Sequence, residues 1–431
     1  MGKKRIVYAV LAGSLVLNCM FVFAGCMGSW DFSSFFQAQD QGGQEESYET
    51  GVADAASHAD EIAAKLGTID EIINNYYLNE SEIDEEAMIE GMYAGYVAGL
   101  GEAYTTYYTA EEYADLMESS SGEYSGIGVS VSQNVETGII TVVNPFENGP
   151  GYEAGIRKDD ILYAVEGEEV TGEDINNVVA KIKGEEGTTV NLTVYRPSTG
   201  EYLDLTVERR VVQNPTVTYE MLENNIGYIQ ITEFDKVTVE QMNAAIDDLS
   251  GQGMKGLIFD VRDNPGGRLD SVCSMLDRIL PEGDLIVYTM DKDGNREDHY
   301  AQDADTLDIP MIVLVNGNSA SASEIFTAAL QDYGKATIMG TTTFGKGIVQ
   351  VILPLDDGSA VKVTQSQYYT PNGVCIHGEG VTPDIEVELE TGSEAATDGG
   401  TAADSETAAE DENDIDNQLQ AAIDQMKTMI Q

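Results

Sequence analysis

Apolar and polar positions alternate in three distinct textures along the chain. Over residues 55–119, Ile62, Leu66, Ile69, Ile72 and Ile73, then Met88, Ile89, Met92, Tyr93, Tyr96, Val97 and Leu100, recur every three or four positions. That period predicts helices. The next texture is β-rich, with short runs at 127–131, 138–143, 160–165, 189–195 and 202–208 around one helical stretch at 175–182. Strands this short, separated by turn residues, predict a small, partly open barrel of about 90 residues. From 215 to 388 the pattern changes again, to strands at 227–231, 256–261, 311–315 and 337–340 alternating with helices at 238–249, 269–280 and 321–332. Such alternation predicts an α/β core on a largely parallel sheet. A last amphipathic helix is expected over 415–430.

The ends add location. Lys3, Lys4 and Arg5 precede an apolar run from Ile6 to Gly25 that only Ser14 and Asn18 interrupt. Basic residues followed by about twenty apolar ones read as an export signal or a retained membrane anchor, which places everything after about residue 30 outside the cytoplasm. The segment Phe23-Ala-Gly-Cys26 also loosely resembles a bacterial lipobox, so lipidation at Cys26 is a second route to the same face. The organisation expected is a signal or anchor at 1–26, a flexible tether at 27–54, a helical region at 55–119, a β-rich domain at 120–212 and an α/β core at 213–390. A disordered acidic linker at 391–413 and a C-terminal helix at 414–431 follow.

Charge then removes partners. The 431 residues carry 22 Lys+Arg against 76 Asp+Glu, a formal charge of -54. Phosphate backbones need clustered Lys/Arg, so nucleic acid is excluded as a partner. Four Cys without a C-x-x-C pair, and three scattered His, offer no metal or redox site, and no cofactor is expected. The acids concentrate at the two ends, with 21 in residues 31–120 and ten in 391–431.

Two stretches carry chemistry. In Ser125-Gly-Ile-Gly-Val129, the flexible Gly126 and Gly128 beside Ile127 and Val129 let backbone N–H groups converge on one concavity, which suits a peptide carboxylate. Further on, a strand delivers Ser319-Ala-Ser-Ala-Ser323 to a helix start, where a hydroxyl nucleophile and an oxyanion-binding N–H can meet. A Ser needs a base. His299, in an expected polar loop, and His377, in a turn, have no catalytic setting, whereas Lys346 between Gly345 and Gly347 can serve if its pKa falls. The residues alone leave Ser319, Ser321 and Ser323 as equal candidates. A rival reading takes Gly340 to Lys346 as a phosphate-binding loop. It fails because Gly347 stands where a Ser/Thr would hold magnesium and a β-branched stretch follows where a helix must begin.

Residues 125–129, with Gly149-Pro-Gly-Tyr-Glu-Ala-Gly-Ile156 and Asp160-Ile-Leu162, resemble a PDZ domain of the bacterial protease-associated kind; Asp159 stands where that family usually has Gly. Around it, Asp260-Val-Arg-Asp-Asn-Pro-Gly-Gly267, Ser319 to Ile325, Phe344-Gly-Lys-Gly347 with Gln350, and Tyr368-Tyr-Thr-Pro-Asn-Gly373 resemble the C-terminal processing peptidases, over about residues 60–388. The resemblance implies an α/β core of the crotonase/ClpP-like kind with an inserted PDZ domain. It implies Ser321 as nucleophile, Lys346 as base, Gln350 orienting the amine, and an oxyanion hole from the N–H of Ala322 and of Gly266 or Gly267. The expected substrate is a protein or peptide C-terminus. The alternative is a non-catalytic or partner-gated PDZ adaptor on the same fold, and a homo-oligomer or regulatory partner is left open.

Overall fold

The computed structural model describes residues 45–135, 137–303, 306–390 and 416–431. The expected anchor with Cys26, the tether up to residue 44 and the acidic linker lie outside the described residues. Contacts divide the chain into two units, with the boundary between Ala103 and Tyr104. The smaller unit contains helices α1 (Glu45–Tyr76) and α2 (Glu85–Ala98). Helix α1 begins inside the stretch expected as a flexible tether. Asp84 caps α2 by accepting the Ala87 N–H at 3.0 Å. No helix among the described residues is long and apolar enough to cross a membrane.

The larger unit opens with β1 (Thr106–Tyr108) and α3 (Ala110–Ser121), whose start is fixed by Thr109 and Glu112 bonding each other's backbone N–H. Residues 104–119, expected in the helical region, belong to this unit. The chain then forms β2 (Glu123–Gly126), β3 (Val129–Gln133), β4 (Ile140–Pro145), α4 (Pro150–Ala154), β5 (Ile161–Val165), β6 (Glu168–Glu169), α5 (Ile175–Ile182), β7 (Thr189–Arg196), β8 (Glu201–Glu208) and β9 (Arg210–Gln213). Strands β3, β4, β5, β7 and β8 lie in that order in one antiparallel sheet, so β3 has a free edge. Ile127, Ile140, Val142, Val178 and Leu192 fill the core beneath it. The entering and leaving strands, β2 and β9, pair antiparallel from Glu123↔Gln213 to Gly126↔Arg210 and form a two-stranded neck. Asp159 has φ 68°, a left-handed turn that Asp tolerates better than most residues, which is how it replaces the customary Gly.

The α/β core comprises β10 (Val217–Leu222), β11 (Ile226–Ile231), α6 (Lys236–Gly251), β12 (Gly256–Asp260), α7 (Leu269–Asp277), β13 (Leu285–Asp291), β14 (Arg296–Tyr300), β15 (Met311–Val315), α8 (Ala322–Asp332), β16 (Ala336–Gly340), β17 (Ile348–Pro354), β18 (Ala360–Tyr369), β19 (Ile385–Glu386) and α9 (Asn417–Met429). One sheet runs β10-β11-β12-β15-β16-β19 and is parallel from β11 onward. Every residue of β12 and β15 is buried, as continuous apolar runs covered on both faces require. Phe259 and Val313 share a cluster with Ile246, Leu276 and Phe326 of α6, α7 and α8, while Ile258, Ile312 and Leu314 pack with Ala422 and Met426 of α9.

A second sheet stands beside the expected, largely parallel one. Strands β1, β18, β13 and β14 lie side by side, with β17 on β18, and all pairs are antiparallel. Its hairpins turn at Asp293-Gly294 and Asp357-Gly358, dipeptides suited to tight turns, but the charged residues around them hid the strands. One casualty is His299, expected in a loop and found on β14, where burial lowers its pKa.

Candidate active site

The carboxyl end of β15 leads through residues 316–320 to Ser321, directly before α8. All three serines of the run are buried, and their hydrogen bonds separate them. Ser319 Oγ donates to Val261 O at 2.7 Å and Ser323 Oγ to Asn264 O at 2.8 Å, so both serve the fold. Ser321 Oγ has no hydrogen-bond partner. Its backbone sits at φ 58°, ψ -114°, a conformation that costs a β-carbon residue on the order of 1–3 kcal/mol. The choice the residue pattern left open is thereby narrowed to one unengaged hydroxyl in a strained turn.

Two buried side chains tie this turn to the Lys346 segment. The Glu324 carboxylate accepts the N–H of Ser321 (2.8 Å), Gly345 (2.7 Å) and Lys346 (2.8 Å) and the Thr343 hydroxyl (2.6 Å). Burial raises its pKa, and the four donors oppose that shift. The Tyr368 hydroxyl reaches Ser321 O at 3.0 Å and also bonds Lys346 O. The Lys346 side chain is buried, with Nζ 4.9 Å from the centroid of the Tyr104 ring. Gln350, on β17, donates from Nε2 to Thr364 Oγ1 at 3.4 Å, while its Oε1 has no partner. Glu324 and Tyr368 thus tie Ser321 to the Lys346 segment, Gln350 bonds Thr364 on β18, and Ser321 Oγ and Gln350 Oε1 have no hydrogen bond.

The same geometry disposes of the phosphate-loop reading. The Gly345 and Lys346 N–H groups point to Glu324, and residues 348–354 form strand β17 where a helix would be needed.

The turn before α7 supplies the facing wall. Asn264 donates to Ile231 O at 2.8 Å, and its Oδ1 accepts the Gly266 N–H at 2.9 Å. A methyl on Gly266 would fall 2.7 Å from Ala320 O, 2.8 Å from Ser321 Cβ and 3.0 Å from Ala322 N, so only glycine allows this approach. Gly266 has its N–H already engaged. Among the described residues, the N–H groups of Ala322, at the helix start, and of Gly267 have no protein acceptor.

In the β-rich domain a groove of about 100 Å³ lies along β3 and α5. Gly126, Ile127, Gly128 and Val129 all line it, with Val179, Ile182 and Lys183 opposite. Gly128 has φ 67°. The Ile127 and Gly128 N–H groups have no acceptor among the described residues. A free strand edge, apolar walls and unpaired N–H groups at one end fit an extended peptide that terminates in a carboxylate. At that end Lys183 stands 5.3 Å from the Tyr124 ring and forms an ion pair with Glu118 of α3.

Glu324, Tyr368, Asn264 and Thr343 stood inside stretches singled out in the sequence but were given no role of their own, and Tyr104 was given none. Glu324 alone had a legible signal, an acidic residue three positions after a Ser at a helix start. The others act through contacts distant in the chain.

The sequence has relatives among known proteins. Residues 225–387 match peptidase family S41, and residues 140–196 match the PDZ domain. The chain is 36% identical over 330 residues to a carboxy-terminal-processing protease of Bartonella bacilliformis, covering 75% of each chain. It is 36% identical over 335 residues to the carboxy-terminal processing protease CtpA of Bacillus subtilis, covering 78% of this chain and 71% of that one. Among solved structures, it resembles a photosystem II D1 C-terminal processing protease at 28% identity and a TM-score of 0.44, covering 74% of this chain and 88% of that one.

Proposed function

The chain belongs to peptidase family S41, the C-terminal processing peptidases with a PDZ domain, and from that premise we propose that Ser321 is its nucleophile and Lys346 its general base. It is an extracytoplasmic serine-type endopeptidase that recognises C-terminal tails through the PDZ domain. In our reading the tail adds as a strand to the free edge of β3, with its carboxylate at the Ile127 and Gly128 N–H groups and its last side chain among Val129, Val179 and Ile182. Ser321 Oγ attacks the scissile carbonyl while neutral Lys346 Nζ takes its proton. The tetrahedral oxyanion accepts the N–H groups of Ala322 and Gly267, and the leaving amine receives the proton back from Lys346. Water then hydrolyses the acyl-Ser321 ester by the same route. Gln350 Oε1 orients the lysine amine. No metal or cofactor takes part in these steps.

The observation that carries this reading is the unengaged Ser321 hydroxyl, in a strained turn beside the unpaired Ala322 N–H and tied to the Lys346 segment by Glu324 and Tyr368. Ser321→Ala and Lys346→Ala should each lower kcat/KM on an apolar-tailed peptide by at least roughly a thousandfold. Turnover unchanged in either variant would refute the assignment. The parallel sheet with helices α6, α7 and α8 on one face supports a core of the crotonase/ClpP-like kind. The basic, then apolar, N-terminus supports attachment to the membrane, by a retained anchor or through Cys26.

A partner-gated enzyme is the second reading, favoured by the unpaired Ser321 Oγ and Gln350 Oε1. Cleavage of a tail-less protein substrate with and without added tail peptide separates the two.

A further inference from the structure

We infer that Tyr104 is a positioning residue that sets the charge state of Lys346, holding its ammonium against the ring face and away from Ser321. The inference rests on the Ser-Lys reading above. Lys346 Nζ lies 4.9 Å from the Tyr104 centroid, inside the roughly 6 Å range over which a ring face attracts a cation. The lysine is 6% exposed, so water screens this attraction little. The two acceptors the reaction requires of this amine, Ser321 Oγ and Gln350 Oε1, are buried and have no hydrogen-bond partner. The amine therefore rests at the ring rather than at either of them.

Tyr104 itself is held in place. The next residue, Thr105, accepts the Thr364 N–H at 3.2 Å through Oγ1, and β1, which follows at once, pairs with β18 at Thr106↔Lys362, Tyr107↔Val361 and Tyr108↔Ala360. Lys362 Nζ donates to Tyr108 Oη at 2.8 Å and pins the far end of the strand. The ring is thus fixed by the same strand, β18, that carries Thr364, the partner of Gln350.

A ring face attracts the ammonium and not the neutral amine. It therefore raises the pH at which Lys346 loses its proton and becomes a base. The other titratable groups around the lysine act from different sides. Glu324 accepts its backbone N–H, Tyr368 bonds its carbonyl, and His377 and Glu379 flank Gly347 and Gly345 across the loop. Lys362 lies further along β18. Replacing the ring of Tyr104 leaves each of these residues in the chain unchanged.

The test is the pH dependence of kcat/KM for the wild type, Tyr104→Phe, Tyr104→Leu and Lys346→Ala in the full chain. Tyr104→Phe keeps the ring face and should keep the acid limb. Tyr104→Leu removes it, and the limb should move to lower pH by roughly 0.5 to 1.5 units, with a three- to thirtyfold gain in kcat/KM below the wild-type midpoint. Tyr104→Met serves the same comparison if the leucine variant does not fold. An acid limb unmoved in Tyr104→Leu, with Lys346→Ala inactive, overturns the inference, as does a limb that Tyr104→Phe moves equally far. An active Lys346→Ala removes the Ser-Lys reading and this inference with it.

Discussion

Glu324 concentrates what single residues contribute to the site. It is fully buried, and its two oxygens accept four donors from the Ser321 turn and the Lys346 loop. A carboxylate can do this because it only accepts; an amide of the same shape must turn an NH2 toward other N–H groups. Glu324→Gln should therefore cost about 2–4 kcal/mol of stability and lower kcat/KM at least tenfold, because Ser321 and Lys346 lose their common tether. Urea unfolding with an unchanged m value, beside peptide cleavage, checks both effects. The three serines teach a related lesson. Ser319 and Ser323 have the same chemistry as Ser321, and their bonds to the Val261 and Asn264 carbonyls are what set them apart from its unengaged hydroxyl.

At the scale of elements, the junction of β11 and α6 holds a carboxyl the mechanism does not use. Asp235, directly before α6, is 3% exposed, and its Oδ2 has no hydrogen-bond partner. Burial, with repulsion from Glu233, pushes its pKa up to about 8, against the attraction of Arg268. In the unfolded chain it would titrate near 4. Between those values the folded protein holds a proton that the unfolded chain has lost, so this group's contribution is fully present below pH 4 and is lost as pH rises to 8. Asp235→Asn keeps a capping side chain without the titration. Its unfolding free energy should gain on the wild type by at most about 1.4 kcal/mol per pH unit between pH 4 and 8, and stay level beyond. Parallel stability curves for the two proteins would show that Asp235 ionises normally. The neighbouring Phe234 hydrogen-bonds both Gly266 O and the Arg268 N–H, so the element that houses this carboxyl also positions the glycine turn facing Ser321.

On the scale of the whole molecule, the C-terminal helix and the charge distribution matter most. Helix α9 returns to the sheet after the acidic stretch and buries Ala422 and Met426 against Ile258, Ile312 and Leu314. Gly256 leaves the room that Met426 Sδ occupies, and Arg262 links Asp260 to Asp416 at the start of α9, at 2.6 and 2.7 Å. Met426→Ala should cost about 2–4 kcal/mol, read as a lower denaturant midpoint without loss of kcat/KM at temperatures where the variant is folded. The charge of -54 bears on access. Exposed acids repel an acidic tail over roughly a Debye length, so cleavage of acidic-tailed peptides should rise with salt relative to neutral-tailed ones. Equal salt dependence for the two would leave the acidity a solubilising surface.

The order of helices, β-rich domain and α/β core was legible because hydrophobic period and turn residues are local. Lys346, Gln350, Gly126 and Gly128 stood out as candidates for the same reason, because they occur in short runs. What the chain alone could not specify depends on residues brought together from far apart. The antiparallel sheet pairs β1 with β18 across some 250 positions, and no local pattern encodes a partner at that distance. That Ser321 alone of the three serines is unengaged depends on carbonyls at 261 and 264, and Tyr104 meets Lys346 only because β1 joins that sheet. Sequence determined which chemistry the chain carries, since side-chain type and local period are properties of the residues themselves. Tertiary structure decided which hydroxyl is unengaged, which glycine N–H remains unpaired and where the lysine rests, since each is fixed by hydrogen bonds and burial that only the folded chain creates.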